Sequence, residues 1–420
     1  MCEELENMPK MLCTMMLMAA LISSAIASDY TLDIFGNANL DDTIDLQDIA
    51  YVEEVINSAK KASNLTDANQ DGAVDDRDLE QIRQIINGTE REMYIIDASN
   101  RIVRLNMPIE RIASSSMAES ISACCALGAA EKIVGIPDFL AGDKIKEYDV
   151  ISLSHPEIAD LQVVGSPYYG TPNLEIIASL KPDLIIVTYA DADSVQKATG
   201  VPTVSYPSTD DIALALKGFK WLNMMGYILG QEKRAGELSN YLDSEMNEVS
   251  SITSKISEIP NVYLAFWGKL TNTPAFYGPV GIAGGRLVAD EGSTGPYSKN
   301  MWQVSKEQVI KWNPDVIFVQ SLAKSSNSTN ISPEEILSDS DLKSIKAVQE
   351  EAVYYTMSFN FGWDPAIGVV QCFYMGKLLH PEEFSDMDVE KKGNEILKEV
   401  YGADGIWTSI TKNRDLHSWS

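Results

Sequence analysis

Twice near its start the chain sets oxygen-bearing side chains at alternate positions of a short loop. Asn37, Asn39, Asp41, Ile44, Asp45 and Asp48 follow the pattern N-x-N-x-D-x-x-I-D-x-x-D, and Asp67, Asn69, Asp71, Val74, Asp75 and Asp78 repeat it 30 residues later. Side-chain oxygens at loop positions 1, 3 and 5, a backbone carbonyl at 7 and a carboxylate at 12 wrap a hard cation in the oxygen shell that Ca²⁺ prefers. The expected ligands are Asn37, Asn39, Asp41, the Thr43 carbonyl and Asp48 in the first loop, and Asp67, Asn69, Asp71, the Ala73 carbonyl and Asp78 in the second. Gly72 fills the sharp-turn position of the second loop, whereas the first has Asp42, which tolerates positive φ less well. Residues 29–90 hold 15 acidic against 4 basic side chains, a net of -11 out of the whole chain's -28.

Each loop should lead into an amphipathic helix, over 49–62 and 79–86. Too little chain precedes Asn37 for an entering helix, so the unit is loop then helix, and position 12 is Asp in both copies. The segment resembles a dockerin, the duplicated calcium-binding module that docks onto cohesin domains of extracellular assemblies. That resemblance implies two Ca²⁺ ions and a cohesin-bearing partner. At loop positions 10 and 11, where dockerins usually carry small hydroxyl residues for recognition, this chain has Leu46, Gln47, Asp76 and Arg77.

Ahead of this module, residues 11–27 form one apolar run ending in Ala25, Ile26 and Ala27. It reads as a secretory signal cleaved before Ser28, too short to span a bilayer comfortably. No second long apolar stretch follows, so the mature protein is expected to be secreted, extracellular or surface-associated, without a transmembrane segment. Of 420 residues 45% are hydrophobic, and 61 acidic side chains face 33 basic ones. Such a length calls for two or more domains. An excess of negative charge repels phosphate backbones and anionic headgroups, which argues against a nucleic-acid or membrane-surface binder.

From Met93 onward short β-rich runs alternate with helices, the pattern of an α/β fold. Strands are expected at YIID, RIASSS, KIVGI, LIIVTY, VPTVSY, VYLAFW, VIFVQS and AVYYTM. The most informative feature is an internal echo: LEIIASLKPDLIIV at 174–187 and KEQVIKWNPDVIFV at 306–319. In each a Glu, Glu175 or Glu307, precedes by seven residues a Pro-Asp that opens a strand. Between the echoes, apolar residues at helical spacing (Ala235, Leu238, Leu242, Met246, Val249, Ile252, Ile256) predict one long helix over 231–256.

The order of these segments, with AGGRLVADE and GWDPAIGVVQCFYMGKLLHPEEF following, resembles the iron-chelate and cobalamin family of substrate-binding proteins that feed ABC importers. The resemblance spans about 300 residues. It implies two Rossmann-like lobes joined by a spine helix, a cleft between them, and an ABC permease as partner. The expected organisation is signal peptide 1–27, dockerin 28–92, N-terminal lobe 93–208, connecting helices 209–258, C-terminal lobe 259–402 and tail 403–420. In that family glutamates matching Glu175 and Glu307 meet permease arginines at the outer tips of the lobes.

Open α/β sheets bind ligands beyond the carboxyl ends of their strands. Loops there hold Phe139, Tyr168, Tyr169, Phe276, Tyr277, Trp302, Phe361 and Trp363, and the family places aromatics near the positions of Tyr169, Phe276 and Trp302. Arg286 and Lys269 are the cations available for an anionic ligand. His155, His380 and His417 lack metal-ligand spacing, no nucleophile elbow, phosphate loop or zinc signature occurs, and Cys124, Cys125 and Cys372 make no disulfide scaffold. The sequence therefore points to a non-enzymatic binding protein for an iron complex or corrinoid. The rival expectation, drawn from the dockerin alone, is a component of an extracellular polysaccharide-degrading assembly.

Overall fold

The computed structural model describes residues 32–147, 149–167, 172–188, 191–206, 219–266, 268–290, 296–298, 301–321, 331–357 and 364–419. The expected signal at 1–27 and the candidate ligand residues Tyr168, Tyr169, Phe361 and Trp363 lie outside them.

The N-terminal module has two helices, α1 (Leu46–Ile56) and α2 (Asp76–Asn87), and each opens on a reciprocal capping box. The Asp48 carboxylate accepts the Asp45 N–H at 2.8 Å, and Asp78 accepts that of Asp75 at 2.8 Å. Because such a box satisfies helix-end N–H groups, the loops' last residues are drawn into the first turn and the helices begin three residues before the expected 49 and 79. At the other end α1 stops at Ile56, short of the expected 62, where Ser58 takes φ +58 and folds the chain back.

A hairpin of β1 (Glu92–Ile96) and β2 (Ile102–Asn106) follows five residues after the end of α2. The strand reaches back to the module: Ile34 bridges Ile95, Phe35 donates its N–H to the Tyr94 carbonyl at 2.9 Å, and Ile96 donates to Asp33 at 2.9 Å. Leu32, Ile34, Val52, Ile82 and Ile85 share one buried core with Met93, Ile95, Val103 and Leu105.

The first large sheet comprises β3 (Ile112–Ser114), β4 (Ile133–Pro137), β5 (Gln162–Gly165), β6 (Leu184–Val187) and β7 (Thr203–Ser205). Helices α3 (Ala118–Ala126), α4 (Asp149–Ser154), α5 (Leu174–Leu180) and α6 (Ala192–Thr199) lie between the strands in sequence. All neighbours are parallel, in the order β5-β4-β3-β6-β7. The order reverses between β3 and β6, as in doubly wound folds.

Two connecting helices come next, α7 (Lys220–Leu229) and α8 (Glu232–Thr253). Ala235, Leu238, Leu242, Met246 and Val249 are buried along α8 as the spacing requires. The helix ends at Thr253, and Ile256 lies beyond it. Gly226 lets the two helices meet, because a Cβ there would sit 2.4 Å from that of Ala235.

The second half holds β8 (Asn261–Ala265), β9 (Asn272–Pro274), α9 (Gly278–Ile282), β10 (Arg286–Leu287), β11 (Pro296–Ser298), β12 (Met301–Gln303) and α10 (Lys306–Trp312). After these come β13 (Val316–Ser321), α11 (Pro333–Ser338), α12 (Lys346–Gln349), β14 (Val353–Met357), α13 (Pro365–Leu379), α14 (Val389–Tyr401) and α15 (Ile406–Asn413). A parallel sheet runs β10-β8-β13-β14, and a small antiparallel one runs β11-β12-β9.

The sequence echo has a structural cause. Both α5 and α10 are capped by the preceding side chain, Asn173 or Ser305, both carry an exposed Glu in the first turn, and both end on a left-handed residue, Lys181 or Asn313. The Asp of each Pro-Asp then clips the strand next door. Asp183 accepts the N–H groups of Glu110 and Arg111 at 3.0 and 2.9 Å just before β3, and Asp315 accepts that of Asn261 at 2.7 Å at the start of β8. A carboxylate accepting strand-edge N–H groups fixes where the neighbouring strand begins, which sets the register of each sheet at its centre.

Candidate functional site

Where the strand order of the first sheet reverses, the carboxyl ends of β3 and β6 carry a cluster of hydroxyls. Ser116 Oγ lies 2.6 Å from Thr188 Oγ1, Thr188 Oγ1 accepts the Met117 N–H at 3.4 Å, and Ser114 Oγ lies 2.9 Å from Ser120 Oγ. The Ser114–Ser116 turn leads straight into α3, whose Met117 cap position offers no side-chain hydrogen bond to the first turn. Hydroxyls and helix N–H groups suit ligand oxygens. No histidine partners these serines: His155 Nδ1 lies 2.8 Å from Ser154 Oγ, His380 Nε2 lies 3.1 Å from the Gly284 carbonyl, and the His417 ring packs edge-on to Tyr354 and Trp419. The run of three serines between an apolar strand and an apolar helix is the sequence signal that marks this site, and the sequence reading passed over it.

The described aromatic candidates occupy different settings. Phe139 follows the carboxyl end of β4 and packs partly against the main core, and Trp302 lies in β12, partly buried against the second core. Phe276 is 46% exposed, while its neighbour Tyr277 is 3% exposed and belongs to the core beside α9. Of the two cations, Lys269 is exposed just beyond β8's carboxyl end. Arg286 is at the other end of that sheet, where its Nε and Nη2 bond to Asn261 Oδ1 at 2.9 and 2.6 Å. A cation held at the amino end of the strands is removed from the ligand side.

Glu175 and Glu307 are both exposed at equivalent first-turn positions of α5 and α10. The Ser305 hydroxyl holds the Glu307 carboxyl below its usual range. Behind the sheets, Asp364 caps α13, accepting the Ala366 and Ile367 N–H groups at 2.9 and 3.2 Å, and also takes the Tyr401 hydroxyl. Burial pushes this carboxyl up to about 6. Cys124, Cys125 and Cys372 are buried free thiols, and burial raises Cys124 to about 12, far from the thiolate that redox or metal chemistry needs.

The two oxygen-rich loops share a common framework of hydrogen bonds. Asp48 Oδ1 takes the Asn39 N–H at 3.1 Å and Asp78 Oδ1 that of Asn69 at 3.2 Å. Asn37 and Asn39 side-chain oxygens accept the Asp41 N–H at 3.1 and 3.0 Å, and Asp67 and Asn69 accept that of Asp71 at 3.2 and 2.9 Å. Asp41 accepts the Thr43 N–H at 2.8 Å, and Asp71 that of Ala73 at 3.1 Å. Gly72 takes φ +89 and both loops turn left-handed at position 4, at Leu40 and Gln70, whereas Asp42 keeps out of the left-handed region.

Burial pushes the Asp48 carboxyl up to about 6, with the neighbouring Asp41 adding to the rise, and Asp78 moves the same way beside Asp67. A buried carboxylate pressed against another is the situation a bound cation relieves, so the donor chemistry fits a hard divalent ion. Among the described residues no three or more His, Cys, Asp or Glu side chains group closely enough to hold a metal. The shell would therefore lean on the asparagines and on the Thr43 and Ala73 carbonyls. In the second loop Arg77 also reaches Asp71, and its Nη2 lies 2.7 Å from Asp75 Oδ2.

Comparison with known proteins agrees with this topology. The chain is 22% identical over 315 residues to the molybdate-binding protein MolA of Haemophilus influenzae, covering 67% of this chain and 84% of that one. It is 26% identical to the petrobactin-binding protein YclQ of Bacillus subtilis over 44% of this chain and 58% of the relative. A periplasmic solute binding protein from Veillonella parvula shares the fold at a TM-score of 0.59, with 21% identity over 77% of this chain and 96% of that one. Residues 115–358, from the serine turn after β3 to just past β14, match the periplasmic binding protein family. A match over more than half of the chain makes this protein a member of the periplasmic binding protein family.

Proposed function

We propose that this chain is the extracellular substrate-binding protein of an ABC importer, capturing a metal-containing ligand between two lobes and delivering it to a permease. The observation that carries the reading is the pseudo-equivalence of the two parallel sheets, each with an exposed glutamate, Glu175 or Glu307, on a matching short helix. Carboxylates so placed can pair with permease arginines across a polar rim, which gives register and steering more than affinity. The ligand is an iron chelate or corrinoid, or a metal oxyanion. Relatives named for molybdate and petrobactin support that range. The Ser116–Thr188 hydroxyls and Lys269 meet its oxygens, and Phe139, Tyr169, Phe276 and Trp302 meet its flat or apolar parts.

The N-terminal loops hold two Ca²⁺, and the module docks onto a cohesin-bearing surface protein. Leu46, 72% exposed, with Gln47, Asp76 and Arg77 also exposed, supplies the docking face. No helix among the described residues is long and apolar enough to cross a membrane, and a cohesin partner would keep the binding protein at a high effective concentration near its permease. Native mass spectrometry with elemental analysis of the protein purified from its source tests the reading. A co-purifying metal complex in the cleft supports it, and a bound oligosaccharide would replace it with the polysaccharide alternative.

A further inference from the structure

The first oxygen-rich loop does not face solvent on all sides. Ile44, at loop position 8, is buried and donates its N–H to the Tyr227 hydroxyl of α7 at 2.8 Å. Tyr227 is held above its usual range chiefly by burial, with Glu232, Asp48 and Asp41 adding negative charge around it. Across the same junction Asp42 adds to the burial that raises the Asp243 carboxyl on α8, and Glu232 at the start of α8 does the same for Glu90 of the module. Acidic groups thus meet acidic groups beside the first loop where the module sits on α7 and α8, and Arg91 lines the neighbouring cavity with Glu90 and Glu232.

Two further features weaken that junction. A cavity of about 540 Å³ lies beside it, lined by Ile85, Gly88 and Glu90 on the module side and by Tyr227, Leu229 and Glu232 on the helix side, so packing there is incomplete. The two loops also differ in internal cation. Arg77 at position 11 of the second loop contacts Asp71 and Asp75, while the first loop has Gln47 at that position, bonding to Asp45 at 3.4 Å. The loop that bonds to α7 is the one without its own arginine.

We propose that a divalent cation in the first loop clamps the loop side of the N-terminal module onto the α7–α8 helix pair, a second fixed contact besides the seam with β1. The inference rests on the calcium reading of that loop. An ion seated among Asn37, Asn39, Asp41 and Asp48 neutralises the charge facing Asp243 and Glu232 and holds the Ile44 N–H toward Tyr227. Binding free energies are linked, so losing a junction contact that forms only with the ion in place weakens the ion's affinity by that contact's factor. Loss of one such hydrogen bond corresponds to about a fivefold change.

The test uses the full mature chain. Calcium titration by calorimetry gives stoichiometry and affinity, and amide hydrogen exchange over 220–253 reports the clamp. Calcium should slow exchange there in the parent protein and in Asp78→Asn, but not in Asp48→Asn. Tyr227→Phe, which leaves every loop donor in place and stays decisive should Asp48→Asn fail to fold, should weaken one of two sites about fivefold. Two bound ions with unchanged exchange over 220–253, or a Tyr227→Phe protein with parental affinities, would overturn the clamp and leave the calcium reading standing. Absence of calcium binding in the parent chain would overturn both.

Discussion

Acidification should strip the ion from the first loop well above the pH at which surface aspartates titrate. The Asp48 side chain is fully buried, and its carboxyl is pushed up to about 6 by burial and by Asp41. Only the ionised carboxylate binds the ion, so competition from one proton divides the affinity by about 1.1 at pH 7, about 2 at pH 6 and about 11 at pH 5. A surface Asp near 3.9 would cost less than about a tenth of the affinity at pH 5. The effect on stability has the opposite sign without the ion. A carboxyl whose folded value lies above its unfolded one contributes most below the unfolded value and loses that contribution as pH rises through about 6. Ion-free protein should therefore melt higher at pH 5 than at pH 7, a trend that Asp364 reinforces, whereas in calcium-saturated protein the weaker ion binding cancels the Asp48 contribution. Calorimetric titration of the full chain at pH 7, 6 and 5 and fixed ionic strength measures the affinity directly. A first-loop affinity equal at pH 5 and pH 7 would refute the reasoning.

Replacing both Glu175 and Glu307 by Arg should abolish uptake while ligand affinity stays within about threefold, since exposed rim charges steer docking and do not line the ligand site; uptake and calorimetry together check this. Asp183→Ala leaves two backbone N–H groups without their acceptor, and Asp315→Ala leaves one. With water able to reach these N–H groups, each should cost about 0.5–1.5 kcal/mol and lower Tm by a few degrees in thermal denaturation. Lys269→Glu should weaken an anionic ligand at least tenfold, as expected for placing a like charge at the site, while Arg286→Glu should not; binding isotherms of the two variants decide.

Much of the fold was legible because its strongest signals are local. The eight strands read from sequence all exist, since buried parallel strands are short apolar runs. The strands it missed, such as β5, β9 and β10, are short or mix polar residues, so neither alternation nor an apolar run marks them. The echo was visible because Pro-Asp does the same work in both sheets, clipping a neighbouring strand. Helix starts were misplaced by three residues in the N-terminal module because a loop-closing Asp doubles as a capping residue, a role that appears only when the cap closes. The site divides in the same way. The loop donors and Glu175 and Glu307 sit in repeated local patterns. Which cation lies beyond the carboxyl ends of the strands, Lys269 and not Arg286, and which aromatic is core, Tyr277, depend on tertiary placement that spacing does not encode. The module's seat on α7 joins residues 183 positions apart and left no trace in the sequence.

The central claim is that this protein binds a metal-containing solute for import. Calorimetric titration of the full mature chain with molybdate, a ferric catecholate chelate and cobalamin tests it most directly. One of the three should bind at a stoichiometry of one per chain, with affinity unchanged in the Glu175→Arg, Glu307→Arg double variant and reduced in Ser116→Ala. Binding of none of them, with a glycan binding in their place, would contradict the account.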